Sequence, residues 1–455
     1  MFRFRRALLF YLAVAMWLSG LAAYPLLEST EGRYASMAWT MAHGGSWIEP
    51  VFNGHLLFSK PPMAYWCAAL ALKVLPDAAW AVRLPAILAL VLCAVLAWRL
   101  ALLAGLDCQR ARWAGLMALL SPLAQAQGRM TTGDIFLWLG VSLGLFCLLT
   151  DRWHRRWRAG GLGLGLALGF MVKGHMVLFW VVVPAAVWVL TRRTERHRLW
   201  LIIHPLTWLV FGALAAPWYA TVLLRHPDLW DYWLVRETTE RVLTDAHGRS
   251  GPWWYFLPQL PLLMLPWWPE LWRARRSALR YRGLWLVLIA VPLLVFSLAH
   301  SKRPNYLLPM VTPLAVLAGS GVSAGRRTWL RRRTVVWVLV VLCYPFAMGV
   351  YHWAPSTSEV VAVVAASQRP LVTFRCEPAS LVFYHHRLPG QFQQLAVAER
   401  QAFLRRDGLI MARATDFPGI EKLAGMPLRV FVRFGQIILA ERAQPVTKAS
   451  SGPSS

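Results

Sequence analysis

Apolar runs long enough to cross the hydrocarbon core of a bilayer, which takes about 20 residues as a helix, recur along this chain between short polar breaks. They fall near 6–26, 84–104, 111–127, 133–150, 160–173, 175–191, 200–223, 253–271, 283–299, 305–321 and 334–353. The fifth and sixth are short and meet at Lys173-Gly174, which puts that lysine at a membrane face. A further apolar stretch, 61–75, opens on Pro61-Pro62 and contains Lys73; at about 15 residues it suits a helix lying in the interface. The pattern predicts an all-α polytopic membrane protein with about 11 transmembrane helices plus juxtamembrane helices. The opening MFRFRR and the apolar run to Leu21 lack a clean small-residue cleavage site, so they read as an uncleaved first helix.

The charges fix an orientation for this pattern. With the N-terminus inside, the segments 1–6, 99–113, 151–158, 192–198, 273–282 and 326–333 are cytoplasmic, and they hold 24 of the 48 Lys and Arg, all of them Arg. That is the positive-inside signature, and it places everything after 354 on the opposite, periplasmic face. The formal net charge of +27 therefore reports topology, and no nucleic-acid partner is expected. A hydrophobic content of 57% and a mean hydropathy of +0.45 exclude a soluble protein of this length. The six cysteines are scattered through apolar runs and form no metal motif or disulfide framework. No phosphate-binding glycine loop, dinucleotide fingerprint or HExxH motif is present.

Beyond about 354 the pattern changes. Val360–Ala365, Leu371–Phe374 and Leu381–Tyr384 read as short strands or strand starts, Ala396–Arg405 as a helix, and Leu428–Phe434 with Gln436–Ala440 as two final strands. The organisation expected is a transmembrane domain over 1–353 with periplasmic loops 27–83 and 224–252, a small periplasmic α/β domain over 354–445, and a Ser-rich disordered tail over 446–455.

The polar residues that carry chemistry gather on the non-cytoplasmic side. A helix starting at Ser29 or Thr30 holds Glu31 in its first turn, near Arg33 and Tyr34. Asp134 follows Gln127-Gly-Arg129-Met-Thr-Thr-Gly133 and opens a long apolar helix; a carboxylate there is expensive unless paired or used, and Arg129 or a cationic substrate group is a natural partner. Helix capping is the bland alternative for both acids. Lys60, before two prolines, and Lys302, in Ser301-Lys-Arg-Pro-Asn-Tyr306, sit close to helix starts. Together with Arg33 and Lys173 they suit an anionic lipid headgroup such as a phosphate, against the alternative that each anchors its helix in the interface.

These segments, in this order, resemble the bacterial polyprenyl-phosphate-dependent glycosyltransferases of the C-type membrane fold, typified by the lipid A aminoarabinose transferases, with the protein O-mannosyltransferases as more distant relatives. The resemblance covers about residues 20–320. It is carried by Thr30-Glu-Gly-Arg33-Tyr34-Ala, Phe58-Ser-Lys60-Pro61-Pro62, Ala81-Val-Arg83-Leu-Pro85, Gln127-Gly-Arg129-Met-Thr-Thr-Gly-Asp134, Val172-Lys173-Gly174, Pro217-Trp218-Tyr219, Gly251-Pro-Trp-Trp-Tyr-Phe-Leu-Pro258 and Ser301-Lys302-Arg-Pro-Asn-Tyr306-Leu-Leu-Pro309. It implies transfer of a monosaccharide from a polyprenyl-phosphate donor to a periplasmic acceptor, lipid A or another envelope lipid or glycan, by an inverting enzyme of the bacterial inner membrane. In that reading Glu31 or Asp134 is the general base, Lys60, Lys302, Arg33 and Tyr306 meet the donor phosphate, and Tyr34, Arg129, Lys173, Tyr219, Glu237, His247 and Arg249 line the substrate site.

The chain departs from the family where Thr30 replaces the first acid, Ser59 replaces a Glu before Lys-Pro-Pro, and Thr238 and Arg249 stand where histidines are common. These are the positions expected to supply hard ligands to a divalent cation, so no cofactor is assigned and that cation is left open. The alternatives are a catalytically silent or regulatory homologue and, less well matched, a lipid or solute transporter, which would want inverted repeats and broken helices at mid-membrane.

Overall fold

The computed structural model describes residues 2–28, 30–233, 251–350, 357–376, 378–386, 389–434 and 436–443. The chain is a largely α-helical polytopic membrane protein that carries a β-sheet domain after its helices. It divides into two compact units, Met1–Tyr24 with Met37–Ala347, and Pro25–Ser36 with Met348–Ser455.

In the first unit the helices follow the apolar pattern but are cut more finely than the pattern implies. Among the described residues, Ala79–Leu103 and Thr194–Arg225 are long and apolar enough to cross a membrane as single helices, and the pair Pro304–Ser320 and Ala324–Met348 passes the same test together although bent by 101°. Elsewhere proline and glycine cut the runs. The run 253–271 becomes a 3₁₀ turn at Trp253–Phe256 and short helices Gln259–Leu263 and Trp268–Arg273, because Pro258, Pro261, Pro266 and Pro269 each remove a backbone donor. The run 111–127 breaks between Cys108–Leu119 and Pro122–Gly128, and the stretch 61–75 forms the helix Met63–Val74, with Ala64, Tyr65, Ala68, Ala69 and Leu72 on its buried face.

The helices Asp134–Leu149 and Arg155–Lys173 form an antiparallel pair whose glycines allow backbone contact. A Cβ added at Gly140 would lie 2.6 Å from the Gly165 carbonyl oxygen, and one at Gly165 would lie 2.8 Å from the Gly140 carbonyl oxygen and from the Gly144 nitrogen. Small residues four apart let membrane helices approach this closely. Because the pair is antiparallel, the first residue of one helix, Asp134, is brought beside the last residue of the other, Lys173. The substitution Gly165→Leu is expected to push the helices apart and lower the thermal midpoint of the purified protein by several degrees, whereas Gly160→Leu, where an added Cβ meets nothing, should leave it unchanged.

The opposite end of this pair is tied by Arg198, whose side chain is 2% exposed. Its guanidinium donates to both oxygens of Asp151 at 3.0 and 2.8 Å, to Glu195 Oε2 at 2.7 Å, to the carbonyls of Leu148 and Leu149, and to the Tyr281 hydroxyl. Arg158 adds a longer bridge to Asp151. Three separate segments, 148–151, 195–198 and the one holding Tyr281, thus meet at one cation that satisfies carbonyls left open by a helix end. Removing one partner of such a network leaves the other charges poorly matched. With Asp151 half exposed to solvent, Arg198→Ala is expected to cost about 3 kcal/mol, the low end for a broken buried pair, read as a fall in unfolding midpoint that Arg198→Lys only partly repairs.

Strands β1 (Val51–Phe52) and β2 (His55–Leu56) pair antiparallel in the first unit; in the second unit, strands β3 (Leu371–Phe374), β4 (Gly390–Gln391), β5 (Leu409–Arg413), β6 (Leu428–Phe434) and β7 (Ile437–Arg442) form one mixed sheet in the order β4-β3-β5-β7-β6. β3 runs parallel to β4 and β5, while β7 is antiparallel to both its neighbours. Alternate residues serve two cores: Val372, Phe374, Ile410, Ala412, Ile438 and Ala440 on one face, Leu371, Leu409, Met411 and Leu439 on the other. Both faces are covered, so the central strands are mostly apolar, with Thr373, Arg413, Glu441 and Arg442 as the polar exceptions. The segments 360–365 and 381–384, expected as strands, are helices, Thr357–Ser367 and Leu381–His385. Their β-branched and aromatic residues imitate a strand, but Val360, Val361 and Val364 are buried at helical spacing against the second face. Glu441, 4% exposed, is fixed between Arg369 and Arg429 at 2.6 Å each. Burial alone would raise its carboxyl, but the two guanidiniums hold it below the ordinary carboxylate range. The tail expected to be disordered, 446–455, lies outside the described residues, as do Glu237, His247 and Arg249.

Candidate functional site

Asp134 and Lys173, 39 residues apart in sequence, form a tight ion pair at the mouth of the glycine-lined helix pair; the Lys173 ammonium donates to Asp134 Oδ1. The Asn305 side-chain amide donates to the other carboxylate oxygen at 2.6 Å, so both oxygens of Asp134, 7% exposed, are engaged. Lys173 ends its helix at Gly174, whose φ of +57° lies in the left-handed region that glycine enters without strain. His175 follows at the N-cap position of the next helix, Met176–Thr191, without a side-chain capping bond.

Lys173 lines a cavity of about 360 Å³. Lys60 lines it too, so two lysines border one space, together with Tyr219, Tyr306 and His175. Its apolar wall is largely aromatic: Phe170, Trp180, Trp230, Trp233 and Phe296. The Tyr306 ring lies 5.3 Å from the Lys173 ammonium, within cation–π range, and the Tyr219 hydroxyl donates to the Phe170 carbonyl at 3.3 Å. Ser59 and Ser301 also line the cavity, and neither buried hydroxyl has a hydrogen-bond partner among the described residues.

Two expected members of this constellation do other work. Lys302, 6% exposed, donates to the carbonyls of Ser297 (2.8 Å), Phe296 (3.4 Å) and Ala299. It closes the C-terminal end of the helix Arg282–Leu298, where carbonyls lack partners, and desolvation there pushes its ammonium below the usual lysine range. It is not among the residues lining the cavity. Arg129, expected as the partner of Asp134, instead donates to Gln125 at 3.2 Å and to the Val341 carbonyl, and packs over Trp17. The helix that begins at Asp134 runs away from Arg129, whereas the returning helix delivers Lys173.

Glu31, Arg33 and Tyr34 belong to the second unit. Glu31 lies in the first turn of the helix Thr30–Ala42, is fully buried, and accepts the Leu27 amide at 2.8 Å. Tyr34 is buried, and the half-buried Arg33 has an Nε with no partner among the described residues. Their segment is fastened to the sheet domain by Glu28, whose carboxylate accepts from the Ala379 amide (2.7 Å), the Ser380 amide (3.3 Å) and the hydroxyls of Ser380 and Thr357. Ser36 adds a bond to the Ala379 carbonyl at 2.7 Å. Losing such charge-assisted bonds costs about 1.5–3 kcal/mol. Glu28→Ala is therefore expected to speed amide exchange at Leu26 and Gly32 by about tenfold or more while β5 stays protected; unchanged exchange at both would show that Glu28 does not hold the segment.

Asn305, His175 and Ser301 are not singled out by the sequence, and Ser59 is marked there only as the replacement of a family glutamate. Asn305 stands in the quoted Ser301–Pro309 motif, and that was the available signal. Among the described residues no group of three or more His, Cys, Asp and Glu side chains gathers as a metal site would require.

A family model described as dolichyl-phosphate-mannose-protein mannosyltransferase matches residues 59–224. An undecaprenyl phosphate-alpha-4-amino-4-deoxy-L-arabinose arabinosyl transferase from Edwardsiella ictaluri is 36% identical over 311 residues, 66% of this chain and 56% of the relative. The Aeromonas salmonicida protein of the same description is 33% identical over the same shares. The chain thus spans a little over half the length of these relatives. Among solved structures, ArnT from Cupriavidus metallidurans bound to undecaprenyl phosphate shares the fold, with a TM-score of 0.78 at 20% identity over 98% of this chain and 99% of that one.

Proposed function

We propose that this relative of the polyprenyl-phosphate-dependent glycosyltransferases of the C-type membrane fold moves one monosaccharide from a polyprenyl-phosphate donor to an acceptor at the periplasmic face of the bacterial inner membrane, lipid A or another envelope lipid or glycan. The observation that carries the reading is the cavity in which Lys60 and Lys173 share an aromatic, apolar wall. Ammonium groups match a phosphate, and an apolar wall accepts an isoprenoid chain. The eleven-span topology, with the N-terminus cytoplasmic and the sheet domain periplasmic, belongs to the same reading and is supported by the arginine distribution.

In the transfer, the acceptor oxygen attacks the anomeric carbon as the bond to the phosphate oxygen breaks, and that electron pair stays on the phosphate. Lys60 and Lys173 meet the negative charge that develops on the leaving group, which is where fixed cations lower a barrier. The acceptor proton passes to a carboxylate. Asp134 is a carboxylate in contact with a cavity-lining residue, and Glu31 is the second candidate. Lys302, set on helix carbonyls, would hold the loop that brings Ser301 and Tyr306 to the cavity.

The test is a transfer assay with purified protein in lipid nanodiscs, a radiolabelled undecaprenyl-phosphate sugar, and lipid A or envelope glycan as acceptor. Label is expected in the acceptor with release of undecaprenyl phosphate. Donor binding without transfer to any acceptor would favour the silent-homologue alternative.

A further inference from the structure

Ser59 and Ser301 are polar residues of this site that the phosphate does not account for. Ser301 is 5% exposed, and its Oγ, like that of Ser59, is buried without a hydrogen-bond partner among the described residues. An unsatisfied buried hydroxyl costs free energy, and native structures keep few of them. Both residues line the same cavity as Lys60 and Lys173. Their chemistry sorts the ligand: ammonium groups only donate and suit a phosphate, whereas a serine hydroxyl both donates and accepts, as a sugar hydroxyl does. Position fits as well. Ser59 directly precedes Lys60, so their Cα atoms are about 3.8 Å apart, and the sugar of a polyprenyl-phosphate donor is bonded directly to its phosphate.

We infer that the hydroxyls of Ser59 and Ser301 bind hydroxyl groups of the donor's sugar and so help select it, an inference that rests on the glycosyl-transfer reading above. A phosphate oxygen is the other ligand atom with matching chemistry, and the test separates the two. A site built to bond a substrate hydroxyl discriminates against a ligand that lacks it.

The experiment measures the affinity of full-length protein in nanodiscs for three lipids: undecaprenyl phosphate, undecaprenyl phosphate-mannose and undecaprenyl phosphate-4-amino-4-deoxy-L-arabinose. The wild type is expected to bind at least one glycosylated lipid more tightly than the bare phosphate. Ser59→Ala and Ser301→Ala should each weaken binding of that lipid about 3- to 10-fold, the scale of one neutral hydrogen bond, and leave undecaprenyl phosphate unchanged. Ser59→Thr, which keeps a hydroxyl, should retain most of the affinity. Wild-type affinity for the glycosylated lipid in both alanine variants would overturn the inference. So would equal losses on bare and glycosylated lipids, which would make the serines phosphate ligands, or no gain from either sugar in the wild type. Failure of the wild type to bind any of the three lipids would refute the glycosyl-transfer reading itself, and the inference with it.

Discussion

Asp134→Asn is expected to lower sugar transfer by about 100-fold, the scale of a lost acid–base or charge-positioning group, while donor binding persists through Lys60. The carboxylate does two things at once in this structure: it pairs with the Lys173 ammonium and accepts from Asn305 at 2.6 Å. The substitution keeps the volume and one oxygen but removes the charge, and a buried ammonium without its counterion is costly. Lys173 then leaves its place on the cavity wall. A double-mutant cycle with Lys173→Met separates the roles. If Asp134 acts by holding Lys173, the two losses will be far less than additive. If it also takes the acceptor proton, Asp134→Asn will remain the more damaging change and will flatten the acidic limb of the pH–rate profile. Near-normal turnover in Asp134→Asn would remove Asp134 from both roles, and full activity in Glu31→Gln as well would remove the carboxylate mechanism.

Lys60→Ala should act on binding. Lys60 lines the cavity beside the aromatic wall, and loss of a charge-assisted contact to phosphate costs about 1.5–3 kcal/mol, or roughly 10- to 100-fold in affinity. The loss should be shared by bare undecaprenyl phosphate and its glycosylated forms, because the contact is with the phosphate they have in common. Lys60→Arg should recover part of it, limited by the different geometry of a guanidinium. Equal affinity in wild type and Lys60→Ala would take the phosphate away from this cavity wall.

How far these residues were legible beforehand depended on the range of the interaction. Hydropathy alone located most helices, and Gly or Pro at their ends explains where they stop. What it did not give was how many pieces a proline-rich run such as 253–271 would break into. Asp134 was recognisable as a carboxylate needing a partner, but its neighbour Arg129 drew attention because it is close in sequence. The true partner, Lys173, follows from an antiparallel crossing written in the chain as Gly140, Gly144, Gly165 and Gly169, a pattern that is informative once the two helices are taken as a pair. Lys302 was visible as a cation near a helix start. That its ammonium would be captured by the carbonyls of the preceding helix end depends on a turn geometry that residue types do not encode. In the second unit, Val360–Ala365 has strand composition and helical burial; the run is too short for periodicity to separate the two, and packing against Leu409, Met411 and Leu439 decides it. The grouping of Pro25–Ser36 with the sheet domain rests on Glu28 reaching residues about 350 positions away, which no local pattern announces.

The central claim is that the cavity around Lys60 and Lys173 holds a polyprenyl phosphate. Native mass spectrometry of the gently purified protein, with lipid extraction of the same sample, tests it most directly. A stoichiometric adduct with the mass of undecaprenyl phosphate or a glycosylated form, diminished in Lys60→Ala and kept in Arg198→Lys, is the predicted result. Bulk phospholipid alone in wild type, or an undecaprenyl-phosphate adduct that Lys60→Ala leaves at full occupancy, would contradict it.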